Sequence, residues 1–157
     1  VDAIAQRAGT SKPSIYRRWP SKAHLVHEAT FPISAATELP DIGSLDGDVR
    51  EMLRRTVALL STPAARAALP GLLSEMAADT TLHAALLERF ADVLTRGLGE
   101  RLEAAVARGE VRPGVTAADL TEMVAGIALL GALALSRELD DDWIERHATL
   151  ILKGIGT

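Results

Sequence analysis

The chain has 157 residues, 48% of them hydrophobic and 24% charged, which is the composition of one or two folded globular domains and excludes a disordered polymer. It has no cysteine, so a disulfide scaffold, a thiolate zinc site and a cysteine nucleophile are excluded. Residues 1–31 carry five Lys and Arg against two Asp and Glu, a balance of +3, whereas residues 32–157 carry 12 against 19, a balance of −7, as expected for a small nucleic-acid-binding module on an acidic body.

The first three predicted elements are short helices separated by strong stop and start signals. A helix from Asp2 to Ala8 is expected to end at Gly9, where the backbone can turn left-handed without a Cβ clash. Ser11 is the predicted N-cap of a second helix, to about Trp19. Ser21 is the predicted N-cap of a third, to about Phe31. The sequence therefore predicts a helix-turn-helix followed by a connecting helix.

The rest of the chain predicts a helical body, because Ala, Leu, Glu and Arg dominate it and no β-type alternation appears. We place the boundary in the loop Leu39–Gly43, which gives domains at 1–38 and 39–157. The predicted body helices run from Ser44 to Leu60, from Thr62 to Ala78, from Thr80 or Thr81 to Arg108, from Thr116 to Ser136, and from Asp140 through Ile151. The longest apolar run, residues 123–135, is shorter than the ~17 residues that span a bilayer, and no export leader is visible, so a cytoplasmic protein without a membrane partner is expected.

The second helix carries the residues that indicate a function. Ile15 and Trp19 are four residues apart and are expected to pack against Ile4, Ala5 and Ala8 of the first helix. Other positions then point outward and offer hydroxyl, phenol and cationic groups that suit phosphates and base edges. A second helix seated in the DNA major groove is the usual use of this arrangement.

The run IAQRAGTSKPSIYRRWPSKAHL resembles the second, third and fourth helices of the TetR family of bacterial transcriptional regulators. The resemblance implies an all-α fold, a helix-turn-helix module whose first helix is missing from this sequence, and a ligand-binding and dimerisation bundle. Thr10 departs mildly from the family pattern, which more often has an apolar residue there. The DNA-binding residues implied are Ser11, Lys12, Pro13, Ser14, Tyr16, Arg17 and Lys22. Of these, Tyr16 and Lys22 are expected on phosphates, and Lys12, Pro13, Ser14 and Arg17 on bases.

The resemblance further implies a homodimer that binds an operator of inverted symmetry and, as a repressor, leaves it when a small-molecule effector fills the body. The candidate effector-pocket residues are Leu53, Val57, Leu72, Met76, Leu86, Phe90 and Val93, each of which could equally be packed core. Because the apolar helix at residues 123–135 needs cover on more than one side, a twofold interface is expected there and on the last helix. Its candidates are Leu120, Met123, Val124, Ile127, Leu130, Gly131, Ala134, Trp143, Ile144, His147, Leu150 and Ile151.

Two other groups of polar residues could be mistaken for sites. His24, His27 and Glu28 have a spacing that can ligate a metal, but no third ligand run accompanies them, and surface positions are expected. Asp140, Asp141 and Asp142 fit a helix cap better than a metal cluster. No catalytic triad, phosphate-binding loop or cofactor motif is present, so neither an enzyme nor a cofactor is expected. The alternatives left open are a dimeric sensor without operator binding and a small-molecule-handling enzyme.

Overall fold

The structure is a computed structural model that describes residues 1–31, 42–86, 98–135 and 137–156. The described residues are helical and contain no strand beyond an isolated bridge between Val111 and Gly156, so the predicted all-α fold is confirmed. The α-helices are α1 Asp2–Arg7, α2 Lys12–Arg18, α3 Lys22–Thr30, α4 Leu45–Leu60, α5 Pro63–Ala78, α6 over residues 80–86, α7 Leu98–Ala107, α8 Ala117–Leu129 and α9 Asp141–Ile155.

Side-chain caps fix most of the helix starts where the sequence predicts them. The N-caps of α2, α3, α4, α5 and α9 accept a backbone N–H three residues on. They are Ser11, Ser21, Ser44, Thr62 and Asp140. At α8, Thr116 and Asp119 form a reciprocal capping box. The prediction for α6 is wrong in detail: Asp79, and neither threonine after it, is the cap, because its carboxylate accepts the N–H groups of Thr81 and Leu82 at 2.9 and 3.0 Å.

The helix predicted from Thr116 to Ser136 changes geometry near its end. Regular α-helix stops at Leu129, and Leu130–Ala134 form a π-helical turn in which Leu135 N–H donates to Leu130 O at 3.1 Å. A Cβ on Gly131 would lie 3.0 Å from Leu139 Cδ2 and 3.5 Å from the Trp143 ring. The absence of a side chain at residue 131 thus lets this turn approach the start of α9 closely.

Helix α4 lies at the centre of the body and packs against α5, α7, α8 and α9. Its inner stripe is almost wholly buried, with Val49 and Leu53 at 0% exposure. Helix α3 packs against α5, and Ala23 and Phe31 belong to the same apolar cluster as the body helices. The connecting helix is therefore part of the body's core as well as the neighbour of α2.

Within the described ranges, no single helix is both long and apolar enough to cross a bilayer. The pair α4 and α5 reaches the required length and hydropathy together, but the two helices meet at a bend of 86°.

Candidate nucleic-acid interface

The α1–α2 turn is built around a left-handed residue and two buried side chains. Gly9 has φ 61°, and the next N–H, of Thr10, donates to Ala5 O at 3.0 Å. Ala5 and Ile15 are buried at 6% and 5% exposure, as their predicted packing between the two contacting helices requires. Ile4, at 39% exposure, and Ala8 are exposed, so their predicted burial against α2 is wrong.

The first turn of α2 is held by its own hydroxyl groups. Ser11 Oγ accepts the Ser14 N–H at 3.3 Å and donates to Ser14 Oγ at 3.0 Å. Pro13 falls in the first turn, where its missing N–H would have had no partner in the helix. The Ser11 hydroxyl therefore acts first as a cap, and the free lone pairs of the two serines remain at the helix N-terminus.

Most of the predicted DNA-binding residues share one property, which is exposure to solvent. Ile15 faces inward, and the residues around it on α2 face outward, with Tyr16 42% exposed although it is aromatic. The exposed set is Ser11, Lys12, Pro13, Tyr16, Arg17 and Lys22, while Ser14 is half-buried. A cationic and hydroxylated surface on a helix-turn-helix can contact both phosphates and base edges.

Two exposed cations of α2, Lys12 and Arg18, are already paired with carboxylates. The Lys12 ammonium lies 2.9 Å from Asp2 Oδ1, and it holds the pKa of Asp2 below its usual value, chiefly through their hydrogen bond, while the same bond raises the pKa of Lys12. Arg18 lies 3.7 Å from Glu28 Oε1 and 4.8 Å over the Trp19 ring. Reasoning from the sequence missed both pairs because they join different helices, for which residue spacing gives no signal.

Helix α3 differs from its prediction at its histidines. Ser21 Oγ and His24 Nδ1 are 2.9 Å apart, so His24 belongs to the N-terminal cap. The surface position expected for His27 is wrong: it is 7% exposed, and its ring centroid lies 5.5 Å from that of Phe31. The physical reason is its position on the face of α3 that also carries the buried Ala23, in a helix that packs against α5. No group of three or more potential metal-ligating side chains occurs in the part of the chain that the structure describes.

Where they are described, the predicted effector-pocket residues are buried or half-buried in the apolar cluster of the body, and their role in a pocket stays a prediction. Leu53, Val57, Leu72 and Leu86 are at most 7% exposed, Met76 is half-buried, and Phe90 and Val93 lie outside the described residues. Two surface concavities among the described residues lie elsewhere. One, of about 510 Å³, is lined by Ala3, Ile4, Arg7 and Ala8. The other, of about 240 Å³, lies between α4 and α7.

The predicted dimer residues fall into three groups. Five of them are at most 4% exposed within the single chain and therefore fill its own core: Leu120, Val124, Trp143, Ile144 and Ile151. Gly131 is also buried, while Met123, Ile127 and His147 are half-buried. Leu130 and Leu150 are 56% and 61% exposed, as is the neighbouring Leu135 at 53%. The side chain of Ala134 lies outside the described part of the chain.

His147 is held in place by its own helix. Its ring stacks on Trp143 at a centroid distance of 3.9 Å, and its Nδ1 donates to the Trp143 carbonyl at 2.8 Å. The buried indole thus fixes the histidine at the edge of the exposed apolar surface that contains Leu150.

A buried ion pair that the sequence did not predict joins α4 to α7. Asp48 is 2% exposed and accepts from Arg101 Nη1 at 3.1 Å and from the Ile42 N–H at 3.3 Å. Breaking such a pair from one side is strongly destabilising, because it leaves an uncompensated buried charge. Asp48 therefore fixes the backbone at the start of the body relative to α7.

Comparisons with known proteins agree with one another over most of the chain. The family model described as "Bacterial regulatory proteins, tetR family" matches residues 1–29, and that described as "Tetracyclin repressor-like, C-terminal domain" matches residues 39–151. The DNA-binding transcriptional repressor TetR of Mycobacteroides abscessus is 34% identical, over 93% of this chain and 77% of the relative. The HTH-type transcriptional regulator Rv1556 of Mycobacterium tuberculosis is 29% identical, over 92% and 71%. The crystal structure of the TetR family transcription regulator SCO0332 shares the fold, with a TM-score of 0.74, 24% identity, and 99% of this chain and 86% of that chain covered.

Proposed function

Because the chain belongs to the TetR family of helix-turn-helix, DNA-binding bacterial regulators, we propose that it is a homodimeric cytoplasmic repressor that leaves its operator when a small molecule binds the body. The observation that carries the DNA-binding part is the surface of α2. Tyr16 and Arg17 are exposed next to the buried Ile15, so the helix is anchored from behind and offers its polar side outward. Two such helices about 34 Å apart would read an operator of inverted symmetry.

The proposed dimer uses the apolar surface that the single chain leaves exposed on the π-turn and α9. Leu130 and Leu150 have more than half of their surface in water, and a C2 axis beside them would pair the same residues of two copies. The half-buried Met123, Ile127 and His147 would form the rim of that contact. A single exposed apolar patch that contained both leucines would be typical of a protein–protein contact surface.

The proposed release mechanism is a shift between two conformations that bind DNA differently. An effector can move this equilibrium only if it binds the operator-incompetent conformation more tightly. Helix α3 is the proposed lever, because it begins at Lys22 beside the DNA-facing surface and packs along α5 of the body. A displacement of α5 would then change the positions of the two recognition helices.

The experiment is selection from a randomised duplex library with the full-length protein at two salt concentrations, followed by sequencing of the bound fraction. We expect an enriched inverted repeat whose binding weakens steeply with salt. Binding no tighter than to random duplex would contradict operator recognition and favour a sensor or an enzyme. The enriched duplex then serves to screen small molecules for release.

The phosphate roles of Tyr16 and Lys22 are tested on the same duplex. Tyr16→Phe removes only the phenol hydroxyl, and Lys22→Ala removes one cation beside the free N–H groups at the start of α3. Each variant is expected to weaken binding by a similar factor on the operator and on random duplex. A loss confined to the operator in a binding titration would instead assign that residue to base reading.

A further inference from the structure

Both acidic side chains of residues 1–31 lie against cations at the ends of α2. At the first residue of α2, Lys12 Nζ is 2.9 Å from Asp2 Oδ1 and 3.1 Å from Oδ2. At the last residue, Arg18 Nη2 is 3.7 Å from Glu28 Oε1. Asp2 belongs to α1 and Glu28 to α3, so each pair joins α2 to a different neighbour. The recognition helix is held at both ends by charge.

The remaining cations of residues 1–31 lack such carboxylate neighbours among the described residues. Arg7, Arg17 and Lys22 have no acidic side chain within 4.0 Å among the residues that the structure describes. Helix α2 therefore presents Arg17 unpaired, while Lys12 and Arg18 at its two ends are paired. Stacking over the Trp19 ring further restricts Arg18.

These pairs bear on how Lys12 and Arg18 can interact with phosphates. Both are solvent-exposed, with side-chain exposures of 50% for Lys12 and 71% for Arg18, so a phosphate can compete with the carboxylate. The displaced carboxylate would remain beside that cation and repel a phosphate bound to it. A cation without this neighbour would neutralise phosphates on every duplex alike and so raise non-specific affinity.

We propose that Asp2 and Glu28 are specificity-determining residues of the DNA interface. By pairing with Lys12 and Arg18, they keep both end cations of α2 from the phosphates of unrelated duplexes. This proposal rests on the DNA-binding function proposed above.

The test compares Asp2→Asn and Glu28→Gln with the unsubstituted full-length protein on the enriched operator and on random duplex, from 50 to 200 mM salt. Each variant is expected to bind random duplex more tightly and to have a lower ratio of operator to random affinity. One additional phosphate contact steepens the salt slope by about 0.9, so the affinity advantage of the variant shrinks about 3.5-fold over this range. Glu110→Gln is the matched control, since its carboxylate pairs with the exposed Arg108 at 2.6 Å in the body.

A double-mutant comparison identifies the cation responsible. If Lys12 is the released group, the gain from Asp2→Asn disappears in a Lys12→Gln background. Should Asp2→Asn lower the melting temperature and weaken both duplexes equally, the pair is only structural and the proposal is overturned.

Two further outcomes separate this proposal from the one on which it rests. If Asp2→Asn and Glu28→Gln leave the affinity for random duplex and its salt slope unchanged, while the unsubstituted protein still prefers the operator, only the specificity role is overturned. An unsubstituted protein that selects no sequence overturns both.

Discussion

Replacing Leu150 by alanine tests the proposed dimer with little disturbance of the subunit itself. Leu150 is 61% exposed on α9, and alanine is the strongest helix former, so the fold of the single chain should tolerate the change. Burying a whole leucine side chain stabilises by about 2 kcal/mol, so covering the exposed part of Leu150 contributes about 1 kcal/mol per subunit. Because the twofold axis brings Leu150 of both subunits into the interface, this contribution occurs twice. Its loss, about 2 kcal/mol in total, raises the dimer dissociation constant roughly 30-fold.

Sedimentation velocity over a range of protein concentrations measures that constant directly. The matched control is Leu73→Ala on α5, which removes the same atoms from a side chain that is 37% exposed and outside the proposed contact. A dissociation constant for Leu150→Ala within threefold of the unsubstituted value, or an equal weakening by Leu73→Ala, would refute the placement of the interface on α9.

Two predictions concern the stability of the body. Gly47→Ala places a Cβ 2.5 Å from Ile42 Cγ2. It should therefore lose the gain in stability of up to about 1 kcal/mol that alanine gives a helix interior. Gly71→Ala has open space around its Cβ and should keep that gain, and equal gains in urea unfolding would contradict the contact. Hydrogen bonds from the Thr116 hydroxyl and N–H hold the pKa of Asp119 below its usual value. The ionised carboxylate therefore stabilises the fold fully at pH values above that usual pKa, and this contribution is lost as the pH falls. The unfolding free energy should therefore decline from about pH 5 to about pH 3, and less steeply in Asp119→Asn; an identical slope in the variant would exclude this contribution.

The helix starts were predictable because a cap is a local feature. Ser44 and Asp140 are each followed within three residues by the N–H that they accept, so a short stretch of sequence contains both partners. Asp79 was missed only because two threonines follow it, and either could have served the same purpose. The wide turn at Leu130–Ala134 was not predictable, since it accompanies the approach of Gly131 to Trp143 on another helix.

The partner of each apolar residue was harder to predict than its burial. Leu120 and Leu150 both fit the apolar pattern of a packed helix, yet the first is fully buried and the second 61% exposed. Periodicity identifies which residues avoid water, but the same stripe can face the chain's own core or a second copy. Only the positions of α4 and α8 relative to α9 separate the two cases.

The burial of polar residues also depends on contacts between helices that periodicity cannot predict. Asp48 lies in the first turn of α4, where an acidic residue normally interacts with the helix dipole and solvent. Its burial depends on Arg101, which is 53 positions away in the chain. Likewise, His27 is buried in a helix that packs against α5, and nothing within α3 indicates this burial.

The charge of the proposed DNA-binding surface shows why contacts that the sequence does not predict matter for function. Counting the bases of residues 1–31 identified a cationic module, and the exposed positions of Tyr16 and Arg17 agree with that interpretation. The count did not reveal that Lys12 is hydrogen-bonded to a carboxylate on another helix. Because non-specific affinity depends on how many cations are available to neutralise phosphates, the proposed role of Asp2 and Glu28 makes the arrangement of the acids matter as well as the number of bases.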